Sequence, residues 1–310
     1  MILTVTLNAA IDKRYVVSNF EIGEVQRVKE CAYVAGGKGL NVSKTAVIAG
    51  AQVLATGFVG GHAGEYIIEA VEQQNVLTDF VKVPGESRSC INIYDEVNKT
   101  QTEFLEPGIT VSEEDQDRFY EKFKELLPKC DVVAMSGSVP KGIGTDMYPK
   151  LVALAREAGK KIIVDTSGAL LTEVAKSKPN MVKPNIDEIR LLTGRHIETR
   201  DELIEAGIEL QQSGIERVVI SLGGDGSLMF TDEGVYQAEV PRIDAVNSVG
   251  CGDCMTAGFA IGFERGMKPQ EAHKFASATS AAAAMTEETG FFRMEDFNEL
   301  YDRISIRKIR

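Results

Sequence analysis

The sequence predicts an α/β fold: a doubly wound, mostly parallel sheet flanked by helices, with a small additional β-sheet. Three observations support this prediction. Short apolar or β-branched runs alternate with amphipathic helical stretches, which is the pattern of repeated β-α-β units. Glycine-rich turns follow several of these runs and lead into helical patterns. Two further segments have extended patterns with no helix between their apolar runs.

Six runs have the length and composition of strands buried on both faces of a parallel sheet. They are short runs of largely apolar or β-branched residues. The runs are residues 4–8, 53–59, 131–136, 161–165, 180–183 and 217–221.

Two helices can be placed from their end signals. The stretch 112–127 begins with Ser112 and carries Asp115 three residues later, which is typical of an N-cap with an acidic N3 residue. The stretch 146–158 is amphipathic, and Gly159 ends it. Both helices are long enough to cover one face of a sheet.

Residues 12–35 and 87–106 read as extended, antiparallel-type insertions between the α/β units. Such pieces can cover a site with one side and pair with a second subunit through the other. They can also be surface hairpins without a role. The remaining residues, 1–11, 36–86 and 107–310, form the predicted α/β core.

Composition excludes several classes of protein. The 310 residues are 44% hydrophobic and 26% charged, which is ordinary for a globular chain. The 34 Lys and Arg residues against 46 Asp and Glu residues give a net charge of −12, which disfavours nucleic acid and anionic membranes as partners. No leader sequence or membrane-spanning apolar run is evident. The five irregularly spaced cysteines fit a reduced, cytoplasmic setting.

The most informative motif is a glycine turn, Gly250-Cys251-Gly252-Asp253, that leads into a helical pattern. Unpaired N–H groups at such a turn, together with the helix dipole, form an anion site. Asp253 has two interpretations. It caps the helix, or it acts as a base beside a bound phosphate.

A second glycine turn, residues 35–41, leads into a helix over residues 42–49. Gly37 lets a ligand approach the backbone closely, Lys38 supplies a point charge, and Asn41 supplies a donor and an acceptor. The alternative is a plain turn with a solvated lysine.

Two further strand ends carry polar or glycine residues. Asn185 follows Lys183 and Pro184, and Glu188 lies on the same side of the next helix, so the pair either caps that helix or orders a hydrated Mg²⁺. Residues 221–226 place glycines where ligands bind in open α/β sheets.

Other nucleotide and redox signatures are weak or missing. No P-loop, dinucleotide fingerprint or protein-kinase motif occurs. Cys251 and Cys254 form a C-x-x-C, which suggests a redox site or half of a zinc site. No second C-x-x-C exists and no histidine lies nearby in sequence, so zinc is disfavoured. The helix N-terminus suggests that either thiol is oxidation-sensitive.

Taken together, the motifs resemble the phosphofructokinase B family of ribokinase-like carbohydrate kinases over essentially the whole chain. Within it the chain looks most like the 1-phosphofructokinase and tagatose-6-phosphate kinase group. Segments with counterparts there are residues 4–8 with Asp12, 36–42, 57–61, 136–140, 182–185 with Glu188, and 249–253. The cysteines at 251 and 254 replace the usual alanine or serine, and Asn8-Ala9-Ala10 replaces a more usual Asn-Pro-Ser or Asn-Pro-Ala.

The resemblance implies ATP as the phosphoryl donor, Mg²⁺ as cofactor, and a set of roles. Asp253 would take the proton from the sugar hydroxyl, and the N–H groups around Gly250, Cys251 and Gly252 would stabilise the transferring phosphoryl. Residues on the nucleotide and metal side would be Lys183, Asn185, Glu188, Ser221, Gly223, Gly226 and Gly252. Residues on the sugar side would be Asp12, Arg27, Gly37, Lys38, Asn41, Arg88 and Ser138.

The resemblance also makes the extended segments a lid that closes over the sugar and pairs in a homodimer. Arg27 and Arg88 lie in these segments and favour a phosphorylated sugar, unless both are merely solvated. We expect fructose 1-phosphate, converted to fructose 1,6-bisphosphate, as substrate. The alternatives are tagatose 6-phosphate, then an unphosphorylated sugar or a nucleoside, and last a C-x-x-C redox protein.

Overall fold

The computed structural model describes residues 1–310. Its strands are β1 (Ile2–Thr6), β2 (Ala10–Val17), β3 (Glu30–Gly36), β4 (Val53–Val59), β5 (Leu77–Thr78), β6 (Val81–Lys82), β7 (Arg88–Asp95), β8 (Thr100–Leu105), β9 (Val132–Ser136), β10 (Lys161–Asp165), β11 (Met181–Val182), β12 (Arg217–Ser221), β13 (Ser227–Thr231), β14 (Gly234–Glu239) and β15 (Ser305–Lys308). Its helices are α1 (Lys38–Ile48), α2 (Gly61–Glu72), α3 (Glu113–Leu126), α4 (Met147–Glu157), α5 (Gly168–Ser177), α6 (Ile186–Thr193), α7 (Arg200–Gln212), α8 (Cys251–Glu264), α9 (Pro269–Ala284) and α10 (Met294–Arg303).

Eleven strands form the large sheet, in the order β15-β14-β13-β12-β11-β10-β9-β1-β4-β5, with β6 also paired to β4. The strands from β12 to β5 are parallel, whereas β13, β14 and β15 extend the sheet in antiparallel fashion. The predicted mostly parallel, doubly wound sheet is confirmed. Each of the six predicted strands is present, although the run at 180–183 is reduced to the two residues of β11.

Both faces of the large sheet are covered. Successive residues of a strand belong to different hydrophobic clusters, because side chains alternate across a sheet. Val5 and Met135 pack with Phe119 on one face, whereas Ile2 and Ala134 belong to the cluster of Phe259 on the other. This burial explains why the strands read as continuous apolar runs.

The predicted helix signals are also confirmed. Ser112 accepts a hydrogen bond from the Asp115 backbone N–H at 3.1 Å, and the two residues form a capping box at the start of α3. The second predicted helix corresponds to α4. No helix is both long enough and apolar enough to cross a bilayer.

A second, four-stranded sheet has the order β3-β2-β7-β8 and is built from the two extended segments. We call it the lid sheet. The hairpins β2–β3 and β7–β8 are antiparallel as predicted, but the central pair β2–β7 is parallel. The reason is that β2 and β7 follow β1 and β6, which both pair in parallel with β4, and the two lid strands therefore run in the same direction.

Candidate active site

The carboxyl ends of five neighbouring strands carry polar residues, three of which are predicted site residues (Ser138, Lys183 and Ser221). Asn8 follows β1, Ser138 follows β9, Asp165 ends β10, Lys183 follows β11 and Ser221 ends β12. Open α/β sheets bind ligands outside this edge. The lid sheet begins at the same edge, since β2 follows β1 after three residues. A cleft between the two sheets is therefore the candidate site.

The N-terminal ends of α1 and α8 meet in this cleft. Gly37 and Gly250 are their N-cap residues, and neither helix has a side-chain cap. At the α8 end the Cys251 N–H donates to the Ser248 carbonyl at 3.4 Å. The remaining unpaired N–H groups and the helix dipoles favour an anion between the two ends. The amide of Asn41 in α1 donates a hydrogen bond of 2.8 Å to the Asp253 carboxylate in α8, which fixes the distance between them.

Gly250 is required by the geometry of its turn. Its φ of 82° lies in the left-handed region, and a Cβ there would lie 2.5 Å from the Cγ2 of Thr289. Only glycine avoids both the strain and the clash. The turn can therefore direct its backbone N–H groups toward the cleft while Thr289 supports it from behind.

Asp253 is the third residue of α8, not its cap, so the capping interpretation is wrong. Only 5% of its surface is exposed. Burial raises the pKa of Asp253 to about 7, and the negative charge of Asp165 adds to this effect, while Lys38 and the Asn41 hydrogen bond oppose it. A carboxylate with this pKa accepts a proton effectively near neutral pH.

Asp165 is a functional residue that sequence reasoning missed. It is 2% exposed, and its two oxygens lie 3.1 Å from the Lys183 ammonium and 3.7 Å from the Lys38 ammonium. The hydroxyl of Thr256 in α8 also donates a 3.0 Å hydrogen bond to the Asp165 carboxylate. The available signal was its position as the polar end of an apolar strand run.

The charges in this group stabilise one another. Burial opposes ionisation of Asp165, but Lys183 and Lys38 outweigh it and hold its pKa below the usual range. Asp165 in turn raises the pKa of Lys38, with smaller contributions from Asp253 and Glu188. Lys38, Lys183, Asp165 and Asp253 thus form one cluster of charges next to the N-terminal end of α8.

The predicted nucleotide residues are brought together by β11 and β12. Asn185 and Ser221 form an isolated parallel bridge, and the Ser221 N–H donates to the Pro184 carbonyl at 3.2 Å. Beyond Ser221, a Cβ built on Gly223 would have no neighbour within 4 Å, so this turn is open to a ligand. Gly226 closes the same turn.

Asn185 and Glu188 form a capping box at the start of α6. The Asn185 Oδ1 accepts from the Glu188 N–H at 2.8 Å, and a Glu188 oxygen accepts from the Asn185 N–H at 2.9 Å. The capping interpretation is thus confirmed. The metal interpretation stays a prediction, and Glu188 lies close enough to Lys38 to affect its pKa.

Two of the sugar-side residues, Asp12 and Arg88, lie where the lid sheet joins the large sheet, at a junction that we call the hinge. Asp12 lies on β2, and Gly36 lets it pack closely, because a Cβ there would lie 2.1 Å from the Asp12 carboxyl carbon. Burial raises the pKa of Asp12, with Lys44 and Arg88 opposing. The Arg88 Nε donates to the Asn8 carbonyl at 3.2 Å.

Ser138 and Arg27 differ in how they are placed. The hydroxyl of Ser138 accepts a 3.4 Å hydrogen bond from the Asn8 amide and therefore belongs to the hinge. Arg27 lies exposed on the loop between β2 and β3 and makes no hydrogen bond or ion pair. The structure does not bring Arg27 to the other site residues.

The C-x-x-C motif lacks the properties of a redox site. Both thiols are free, and Cys254 is buried against the Thr45 hydroxyl at 3.2 Å. Burial raises the pKa of Cys251 to about 11 and that of Cys254 to about 12. Because the thiolate is the reactive form, the structure argues against the oxidation-sensitive interpretation.

Comparison with known proteins agrees with this geometry. A family model described as pfkB family carbohydrate kinase matches residues 4–295. The chain belongs to the pfkB family of carbohydrate kinases. As a member of this family it is an ATP-dependent sugar-phosphate kinase, as the resemblance predicted.

Among proteins similar to this pfkB kinase is the tagatose-6-phosphate kinase of Staphylococcus epidermidis, 37% identical over the whole of both chains. A possible 1-phosphofructokinase from Thermotoga maritima superposes with a TM-score of 0.89 at 32% identity, again over both whole chains. Ribokinase of Arabidopsis thaliana, in complex with ribose and ATP, has a TM-score of 0.80 at 21% identity and covers 97% of this chain and 98% of its own. The last match confirms the ribokinase-like fold.

Proposed function

We propose that the protein transfers the γ-phosphoryl group of ATP to a hydroxyl group of a ketohexose phosphate, with fructose 1-phosphate as first candidate and fructose 1,6-bisphosphate as product. The observation that carries this proposal is the buried Asp253 carboxylate at the start of α8, near two helix ends without side-chain caps and near Lys38 and Lys183, which form ion pairs with the neighbouring Asp165. Phosphoryl transfer needs this combination of a base and an anion site.

Asp253 would act as the general base. It would take the proton from the sugar hydroxyl as the oxygen attacks the γ-phosphorus, and the bond to the β-phosphate oxygen breaks to release ADP. The backbone N–H groups of Gly250, Cys251 and Gly252 would donate hydrogen bonds to the phosphoryl oxygens and so stabilise their negative charge. Asn41 holds the base in place through its 2.8 Å hydrogen bond.

Lys38 and Lys183 would contact the phosphates of ATP from two sides of the anion site. A Cβ built on Gly252 would lie 3.2 Å from the Lys183 ammonium, which places that charge next to the helix end. Ser221, Gly223 and Gly226 would line the space for the nucleoside. This arrangement is electrostatic positioning, and no covalent intermediate with the protein is needed.

Asn185 and Glu188 fit a hydrated Mg²⁺ at the edge of the site. The second oxygen of the Glu188 carboxylate makes no hydrogen bond, and Mg²⁺ is usually held by one or two carboxylates together with waters and phosphates. When bound, the ion supplies charge neutralisation on the phosphates. The contribution of the chain is a half-buried carboxylate oriented by the capping box.

The sugar would lie between Asp12, Gly37, Lys38 and Asn41, where the buried Oδ1 of Asn41 has no hydrogen-bond partner. That oxygen can accept from a sugar hydroxyl. Arg88 would hold the substrate phosphate, with Ser138 beside the hinge, and Arg27 would join it when the lid sheet closes. The half-buried Arg88 is the feature that favours a phosphorylated sugar over a free sugar.

The outer part of the lid sheet fits a homodimer contact. Ile22 and Val25 are 95% and 89% exposed on the loop between β2 and β3, and Phe104 on β8 is more than half exposed. Exposed apolar residues at an edge strand mark an interaction surface. We therefore propose that a second copy of the chain binds at the lid sheet. We also propose that the protein works in the cytoplasm.

Tagatose 6-phosphate is the second candidate substrate, because the S. epidermidis relative is named for it. A coupled assay of ADP release would compare fructose 1-phosphate, tagatose 6-phosphate, fructose 6-phosphate and unphosphorylated sugars. We expect kcat/KM to be highest with one of the first two. Preference for an unphosphorylated sugar or a nucleoside would overturn the proposal.

A further inference from the structure

Lys44 lies beneath the site and has no part in the proposed chemistry. It is in the second turn of α1 and only 4% exposed. A lysine is rarely buried to this extent without specific partners. Burial lowers its pKa, and the nearby carboxylates of Asp12 and Glu288 oppose this shift.

The Lys44 ammonium donates to two carbonyl oxygens from different parts of the fold. One belongs to Ala35, at the end of lid strand β3, at 3.1 Å. The other belongs to Thr289, also at 3.1 Å. Thr289 lies in the segment between α9 and α10, which we call the bridging segment (residues 285–293).

The bridging segment contacts both sides of the cleft. Thr289 supports the Gly250 turn at the start of α8, and the Gly290 carbonyl accepts a 3.1 Å hydrogen bond from the Thr45 hydroxyl. At its exposed side, Glu287 forms a 3.1 Å ion pair with Arg14 of lid strand β2. The segment therefore touches the lid sheet, α1 and the anion-binding turn.

We propose that Lys44 is a positioning residue that couples the two substrate sites: its ammonium links the lid strand to the bridging segment, so that sugar bound under the lid favours the anion-binding geometry of the Gly250 turn. This inference rests on the proposed function. A lid movement at Ala35 changes the Lys44 contacts, and Lys44 transmits the change to Thr289. Coupling of this kind is reciprocal, and typically amounts to about 5- to 150-fold in affinity.

The test measures coupling directly with the full-length protein. Calorimetric titrations would give the Kd of a non-hydrolysable ATP analogue alone and with saturating fructose 1-phosphate or tagatose 6-phosphate, whichever binds. In the unmodified protein, we expect the phosphosugar to tighten the analogue about 5-fold or more. In Lys44→Met, which keeps the apolar stem but not the donors, the factor should fall below about 2.

Control variants separate coupling from general damage. Lys308→Met removes another lysine-to-carbonyl bond, to Glu233 at the far end of the large sheet, and should keep the full factor. Lys44→Arg keeps the charge and the donors and should restore much of the coupling. The Kd of the analogue alone should change less than about 3-fold in all of these variants.

Full coupling in a folded Lys44→Met protein would overturn the proposal, as would an absence of coupling in the unmodified protein. If Lys44→Met does not fold, Thr45→Val provides the decision, because it removes the hydroxyl that holds the Gly290 carbonyl of the bridging segment and also contacts the Cys254 thiol. If the phosphosugar tightens the ATP analogue by the same factor in Thr45→Val as in the unmodified protein, the proposal is wrong. A smaller factor supports the proposal. If neither phosphosugar binds the unmodified protein, the proposed function fails first, in the single-ligand titrations.

Discussion

The core side and the lid side of the cleft hold their functional groups in different ways. On the core side, Asp253, Asp165 and Lys183 are all buried, and each is fixed by at least one side-chain contact of 3.1 Å or less. On the lid side, Asp12 and Arg88 are half-buried, and Arg27 is exposed. In the proposed mechanism, the groups for phosphoryl transfer are therefore pre-organised on the large sheet, whereas the lid sheet selects the substrate.

The largest effect is expected from the core side. Asp253→Asn removes the proposed base while keeping its shape, and should lower kcat by about 10²- to 10⁴-fold. Steady-state kinetics at saturating ATP would measure the change. Asp232→Asn, an exposed aspartate after β13, is the matched control and should be neutral. A near-normal rate for Asp253→Asn would remove Asp253 from the mechanism.

The pH dependence of kcat/KM tests whether the buried charges on the core side raise the pKa of Asp253. Because Asp253 must be deprotonated and its pKa is raised to about 7, kcat/KM should fall as the pH drops below about 7. Asp165→Asn removes a negative charge that raises this pKa, so the acid limb should move to lower pH. The same variant releases Lys38 and Lys183 and should lower kcat about tenfold or more. An acid limb at the same pH in Asp165→Asn would contradict the proposal that Asp165 raises the pKa of Asp253.

Arg88→Ala tests the lid side. Loss of a charged hydrogen bond to the substrate phosphate should raise the KM for the phosphosugar about 10- to 100-fold. The KM for ATP should stay within a factor of about 2, because Arg88 lies on the sugar side of the cleft. Equal effects on both substrates would place Arg88 elsewhere.

The smallest effect is expected for Arg27→Ala. This side chain has no partner in the structure, so any contribution must come from closure or from a second copy. We expect a KM increase for the phosphosugar of about 3-fold or less. A KM increase as large as that of Arg88→Ala would show that the loop between β2 and β3 reaches the substrate phosphate. The contrast between the core side and the lid side would then be wrong.

Local sequence signals predicted much of the fold and most of the core side. Strand runs, the Ser112 cap and the glycine turn before Asp253 depend on neighbours within a few residues, and the structure has all of them. Asp165 and Lys44 were missed because their roles depend on contacts with residues far along the chain. An apolar run that ends in Asp, and a lysine within a helix, give no local indication of these contacts.

The parallel pairing of β2 and β7 has a consequence for how the protein folds. These strands are central to the lid sheet, yet Asp12 pairs with Cys90, from a distant part of the chain. They follow β1 and β6, which pair with β4, so we expect β2 and β7 to align only after these three strands have assembled. We expect the lid to form last and to open first in hydrogen exchange, because long-range contacts are made late and sparsely packed regions open locally. The last part of the chain to become ordered would thus be the part that chooses the substrate.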